Sequence, residues 1–143
     1  MAITTAMCNS FKEELLGGVH DLDTDTLKIA LIKPSSTGTL GAGTTNYSAL
    51  GSDEATGTNY SAGGQTLDSA SITLSGSTVF VDFADEVFTN LTISAAGAII
   101  YNSSQSNKAI AVFNFGTTVT STAGDFTVVF PTANASSAVI RIT

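Results

Sequence analysis

From residue 26 onward, apolar and polar residues alternate along the chain with a period of two, in short runs broken by clusters of Gly, Ser, Thr, Asn and Asp. A period of two places alternate side chains on opposite faces of a strand. The first run, "TLKIALIK" (26–33), sets Leu27, Ile29 and Leu31 against Lys28 and Ala30, and Pro34 closes it. Further runs are "SITLS" (71–75), "TVFVDFA" (78–84), "FTNLTI" (88–93), "GAIIYN" (97–102), "KAIAVFNFG" (108–116), "DFTVVFP" (125–131) and "SAVIRIT" (137–143). Turn clusters such as "SGS", "NSSQSN" and "TSTAGD" separate them.

Only the N-terminal stretch has a different period. In "TTAMCNSFKEELLGGVH", Met7, Phe11 and Leu15 recur every four residues with Cys8 beside them, and Glu13 and Glu14 lie on the other side. This predicts a helix over about residues 4–17, capped by Thr4 or Thr5 and stopped by Gly17-Gly18. Strands every 8–12 residues behind one helix predict a mostly β chain. The expected fold is a single-domain antiparallel β-sandwich, Ig-like or jelly-roll-like, spanning residues 1–143 with strands from about 26 to 143. Its core should draw on Phe11, Leu15, Ile29, Leu31, Val79, Val81, Phe83, Ile100, Phe113, Phe126, Val128 and Ile140.

Between residues 35 and 68 the chain is poor in apolar residues. It holds a short echo, "TNYSA" at 45–49 and again at 58–62, which suggests two similar turns or edge strands anchored by Tyr47 and Tyr60. Composition supports the β reading. Charged residues are only 12% of the 143, and Ser and Thr together make up about a quarter.

Charge narrows the partners. Twelve acids against five bases give a net charge of −7, and the bases (Lys12, Lys28, Lys33, Lys108, Arg141) are scattered singly. Phosphate backbones are bound by clustered Lys and Arg, so nucleic acid and anionic membranes are not expected partners. No basic segment followed by an apolar run marks a signal peptide, and no apolar run is long enough to span a bilayer. The expectation is a soluble protein made in a cytosol.

Chemistry has few places to reside. "VHDLDTDTLKIALIK" (19–33) contains the one histidine, His20, followed by Asp21, Asp23 and Asp25. An EF-hand loop starting at Asp21 would need Gly at its sixth position and Glu at its twelfth, where Thr26 and Ile32 stand. A looser calcium loop through Asp21, Asp23 and Asp25 stays open, because alternate side chains of an extended segment point the same way. The alternative is an acidic bend whose carboxylates bond nearby backbone.

One His and one Cys cannot supply the three or four N/S ligands of an ordinary zinc site. Nothing resembles the G-x-S-x-G of a serine nucleophile, and "GTLGAGTTN" (38–46) lacks the third glycine of a dinucleotide fingerprint. The adjacent carboxylates Asp53-Glu54 and Asp85-Glu86 should face opposite ways and lie solvated in turns. The expectation is a protein that is not an enzyme and takes no cofactor.

Several separated blocks carry a resemblance: "SFKEELLGGVHDLDTDTLKIAL", "ATGTNYSAGGQTL", "AAGAIIYN", "VFNFG" and "GDFTVVFP". Together, and in this order, they resemble a family of small virion structural proteins of tailed bacteriophages, common among marine and cyanobacterial phages. The resemblance implies a role in the particle, as a capsid decoration (cement) protein or as part of the tail or its fibres, and implies no active-site residues.

The decoration role is the expected one, on the outer capsid surface, with the major capsid protein or other virion proteins as partners and synthesis in the host cytoplasm. The chain shows no coiled-coil heptads or long repeats of the kind that build fibre shafts. A homo-oligomer is expected, with a trimer matching the three-fold positions of a shell. Docking would use apolar and backbone contacts, with Met7, Phe11, Tyr47 and Tyr60 as candidate interface residues. A small carbohydrate-binding module is the rival from another class. It would need exposed aromatics, and with no Trp only Tyr47, Tyr60 and Tyr101 are available.

Overall fold

The computed structural model describes residues 2–143. Its elements are mostly strands: β1 (Ala2–Ile3), β2 (Ala6–Met7), β3 (Leu27–Ile32), β4 (Thr39–Leu40), β5 (Gln65–Thr66), β6 (Ser71–Ser75), β7 (Thr78–Asp82), β8 (Glu86–Asn102), β9 (Lys108–Val128) and β10 (Ile140–Ile142). One helix, α1 (Asn9–Leu16), lies near the N-terminus. A five-stranded antiparallel sheet runs in the order β2-β9-β8-β3-β5, and a three-stranded antiparallel sheet in the order β10-β7-β6. The short β1 and β4 pair in parallel. The fold class is therefore mostly β, with antiparallel sheets and an N-terminal helix.

The helix is shorter than its period predicts. Residues 2–7 are drawn into sheets instead, with Ala6 opposite Val112 and Met7 opposite Ala111. Met7 thus belongs to a strand, and only Phe11 and Leu15 of the expected stripe are helical. Thr5 does not cap the helix either, because its hydroxyl accepts from the Asn114 amide at 2.9 Å. The C-terminal stop is as expected. Gly18 takes φ 73°, and the amides of Gly17, Gly18 and Val19 close on carbonyls of the last turn.

Two pairs of expected strands are each one continuous strand. "FTNLTI" and "GAIIYN" merge into the 17-residue β8, and "KAIAVFNFG" and "DFTVVFP" merge into most of the 21-residue β9. The turn-like residues between them are absorbed as irregularities in the ladder. Pairing slips around Leu91, opposite a stretch in which Ala123 takes φ 46°, and Asn90 takes φ 50°. The Asp125 carboxylate accepts from the Asn90 amide and the Thr92 hydroxyl accepts from the Ala123 amide, so the bulged backbone is not left unpaired.

One hydrophobic cluster joins residues from α1, β3, β7, β8, β9 and β10. Phe11, Ile29, Leu31, Ile99, Ile100, Ile110 and Val112 are fully buried in it. Of the expected core, Leu15, Phe113 and Val128 are only half-buried and pack against its margin. Val79 is likewise half-buried.

Candidate functional site

His20 and Asp25 meet Asn102 in a polar cluster beside α1. The ring of His20 is buried and packs against Phe11, with centroids 5.0 Å apart. Asn102 Nδ2 donates to Asp25 Oδ2 at 2.6 Å and lies 3.0 Å from His20 Nδ1, while Asn102 Oδ1 accepts from the Ser104 amide. That amide fixes which way the Asn102 group points, so His20 Nδ1 must be the acceptor. The imidazole is then neutral with its proton on Nε2, which sits 3.3 Å from Glu14 Oε2. Lys108 Nζ is 3.2 Å from the same oxygen.

Burial lowers the His20 pKa from its ordinary value of 6.5, against the opposing pull of Glu14. Asp25 is held below the usual carboxylate range, chiefly by Asn102 and then by the Asp21 amide.

The aspartates do not converge. Asp25 Oδ2 accepts from the Asp21 amide and Asp21 Oδ1 from the Asp23 amide, so the side chains tie the bend to itself. Among the described residues no group of three or more His, Cys, Asp or Glu side chains is placed to hold a metal ion. The carboxylates of Asp21 and Asp25 bond backbone within the bend, and His20 is buried beside it.

A pH dependence follows. The unfolded histidine binds a proton near its ordinary pKa, while the folded ring resists it, so unfolding takes up a proton as pH falls below about 6.5. This contribution to stability is present above that pH and is lost as pH falls toward the folded value. Asp25 and Asp53 act in the same direction further down, below the ordinary carboxylate range. Glu86, raised by burial and by Asp68, acts in the opposite direction. Denaturation midpoints measured at pH 7.0, 6.0 and 5.0 should fall for the parent. In His20→Gln the drop between pH 7.0 and 5.0 should flatten, while loss below the ordinary carboxylate range remains.

A second knot is built on Glu54. Its carboxylate accepts from the hydroxyls of Tyr47 and Tyr60 and from the Gly63 amide. Tyr60 in turn accepts from the Leu31 amide, and Tyr101 donates to the Gly63 carbonyl. Tyr47 stacks on Tyr101 with centroids 4.6 Å apart. Burial raises all three phenols, Tyr101 to about 12. The repeated "TNYSA" therefore places two tyrosines on one carboxylate, a convergence visible in the sequence only as an echo.

The adjacent carboxylates depart from expectation. Asp53 is buried, not solvated: it accepts from the amides of Thr37 and Gly38, which hold its carboxyl below the usual range, and it lies 3.5 Å from Lys33 Nζ. Glu86 is buried as well, and Asp85 accepts from the Phe130 amide. Asp53 and Asp85 thus cap backbone that the strands leave unpaired. Cys8 is fully buried, and burial pushes its thiol up to about 11, so it is protonated at neutral pH.

The candidate interface residues also separate. Phe11 has no exposed surface and belongs to the core, so it is not available to a partner. Tyr47 and Tyr60 are half-buried with their hydroxyls tied to Glu54. Met7 is half-buried and lines a shallow apolar groove with Leu15, Leu16, Ile142, Lys12 and Arg141. Sequence reasoning missed the side chains that are open. Leu16 is 91% exposed, Leu74 70%, and Ile72 and Ile142 49% each. In "SITLS" the alternation reads as a half-buried strand, and only the topology shows β6 at a sheet edge.

Compared with protein-family models, curated proteins and solved structures, the chain shows no significant match to any.

Proposed function

We propose that this protein is a structural component of a tailed-phage virion, and that it decorates the outer surface of the capsid in many copies docked on the major capsid protein. The observation that carries the virion reading is the ordered set of sequence blocks that resemble virion structural proteins. The geometry supports a scaffold role. Asn102 donates to Asp25 beside His20, and Glu54 accepts from Tyr47, Tyr60 and the Gly63 amide, so these polar groups are held in fixed positions. The acidic surface keeps crowded copies soluble and away from packaged DNA. Weak contacts repeated over a lattice then sum through multivalency.

The sugar-binding reading is less well supported. Tyr101 is buried, and the hydroxyls of Tyr47 and Tyr60 are bonded internally. A tail or fibre location is the second virion reading, favoured by the long β8–β9 ribbon, whose β9 half is largely exposed beyond Phe113.

In the same proposal the two larger sheets form the layers of a β-sandwich. The support is that Val81 and Ile140 of the three-stranded sheet share one hydrophobic cluster with Phe88 and Phe126 of the five-stranded sheet.

Gold-labelled antibody against the protein, applied to intact virions, tests the location. Label over the whole capsid is the expected result. Label confined to the tail would move the protein there, and unlabelled particles would overturn the virion reading.

A further inference from the structure

Strand β6 pairs with β7 on one side and leaves its other edge free, and all five of its residues are exposed. Natural edge strands are commonly blunted by a charge, a proline or a bulge. β6 has none of these: it reads Ser-Ile-Thr-Leu-Ser and pairs with β7 in unbroken register. The pattern is also self-complementary about its centre. A two-fold axis through Thr73 sets Ser71 opposite Ser75 of a second copy and Ile72 opposite Leu74, with Thr73 opposite itself.

The rest of the three-stranded sheet fits such a partner. Register places Ile72, Val81 and Ile140 in one row and Leu74, Val79 and Ile142 in the next, so these six side chains share one face. Val81 and Ile140 are covered, whereas Ile72, Leu74 and Ile142 are open. A two-fold axis perpendicular to the sheet keeps this face on the same side in both copies, extending both apolar rows across six strands. Charge points to the same occupant. The molecule carries −7, yet β6 is neutral, Asp82 is the one acid in the three strands, and Lys12 and Arg141 flank the adjoining groove. Two acidic copies meet here with little repulsion.

We infer that β6 is a self-pairing edge through which two copies of this chain join antiparallel about Thr73 into a continuous six-stranded sheet. Self-pairing saturates both free edges at once, which an open-ended stack does not. Five residues a side is small beside the roughly 20–30 of a stable interface, so the pair is reversible and forms at high local concentration.

Directly opposed residues of antiparallel strands have Cα atoms about 4.5–5.5 Å apart, within disulfide range. Two Ser75 residues in the same pairing lie about 14 Å apart along the strands and cannot be bridged. Thr73→Cys and Ser75→Cys should therefore be compared in the full-length protein, at several hundred micromolar under mild oxidant, on non-reducing gels. Cys8, being buried, contributes no background. The expected result is a disulfide dimer at least fivefold more abundant for Thr73→Cys than for Ser75→Cys. Adding Leu74→Lys to the Thr73→Cys protein should lower the yield severalfold with an unchanged circular dichroism spectrum. Equal yields at the two positions, or no dimer at Thr73→Cys, would overturn the pairing.

Discussion

Truncating Phe126 to alanine is expected to destabilise the protein by about 3–5 kcal/mol, while Phe113→Ala costs no more than about half of that. Both phenylalanines lie on β9, and alternation alone ranks them equally. The fold separates them. Phe126 is 5% exposed, stands opposite Phe88 in the ladder, and meets the rings of Phe88 and Phe115 at 6.4 and 6.3 Å. Removing it opens a cavity between Phe88 of β8 and Phe115 of β9. Phe113 is half-buried at the rim of an open apolar groove, where solvent and neighbours can fill the space. Urea denaturation of both variants checks the ranking. Equal losses, or a larger loss for Phe113, would show that the inward face of β9 is misassigned.

Gly64→Ala is the second change with a large expected effect. Gly64 takes φ 73°, and a Cβ at that position would fall inside the contact radius of the Ile29 carbonyl, against the backbone of β3. Left-handed backbone costs an alanine about 1–2 kcal/mol, and the clash adds about 1–3 more, because the neighbour is backbone and not a flexible side chain. The site also couples to the Glu54 knot, since the adjacent Gly63 donates its amide to Glu54 and accepts from Tyr101. The expected total is about 2–5 kcal/mol, read as a lower denaturation midpoint. Gly43→Ala, where a Cβ meets open space, should be close to neutral. A neutral Gly64→Ala would mean that β5 does not lie against β3 as described.

Much of the fold is legible in the sequence because period-two alternation is a local signal, and it placed β3, β6 and β7 close to where they lie. What local pattern could not supply was continuity. "TSTAGD" and the Asn90 region have turn composition, yet β8 and β9 hold one another in register and turn those residues into bulges. At the N-terminus the four-residue spacing was misleading for a similar reason. Sheet hydrogen bonds from Val112 and Ala111 claim residues 6 and 7 before a helix can use them.

The polar sites were legible in part. The bend character of Asp21, Asp23 and Asp25 follows from residue type, but the burial of His20 depends on Asn102, 82 residues away. Asp53 and Glu86 looked solvated because their neighbours are polar. Asp53 is buried under the Thr37–Gly38 backbone and Glu86 within the ladder of β8 and β9, contacts that no sequence period encodes. The open apolar face of β6 was hidden for the converse reason, since a strand at an edge has the same alternation as one in the middle.

Copy number per virion decides the proposal that this chain decorates a phage capsid. Gel bands of purified particles, quantified against the major capsid protein, give that number. Hundreds of copies per particle are expected, on the scale of the shell lattice. A chain absent from purified virions, or present in only a handful of copies, would contradict it.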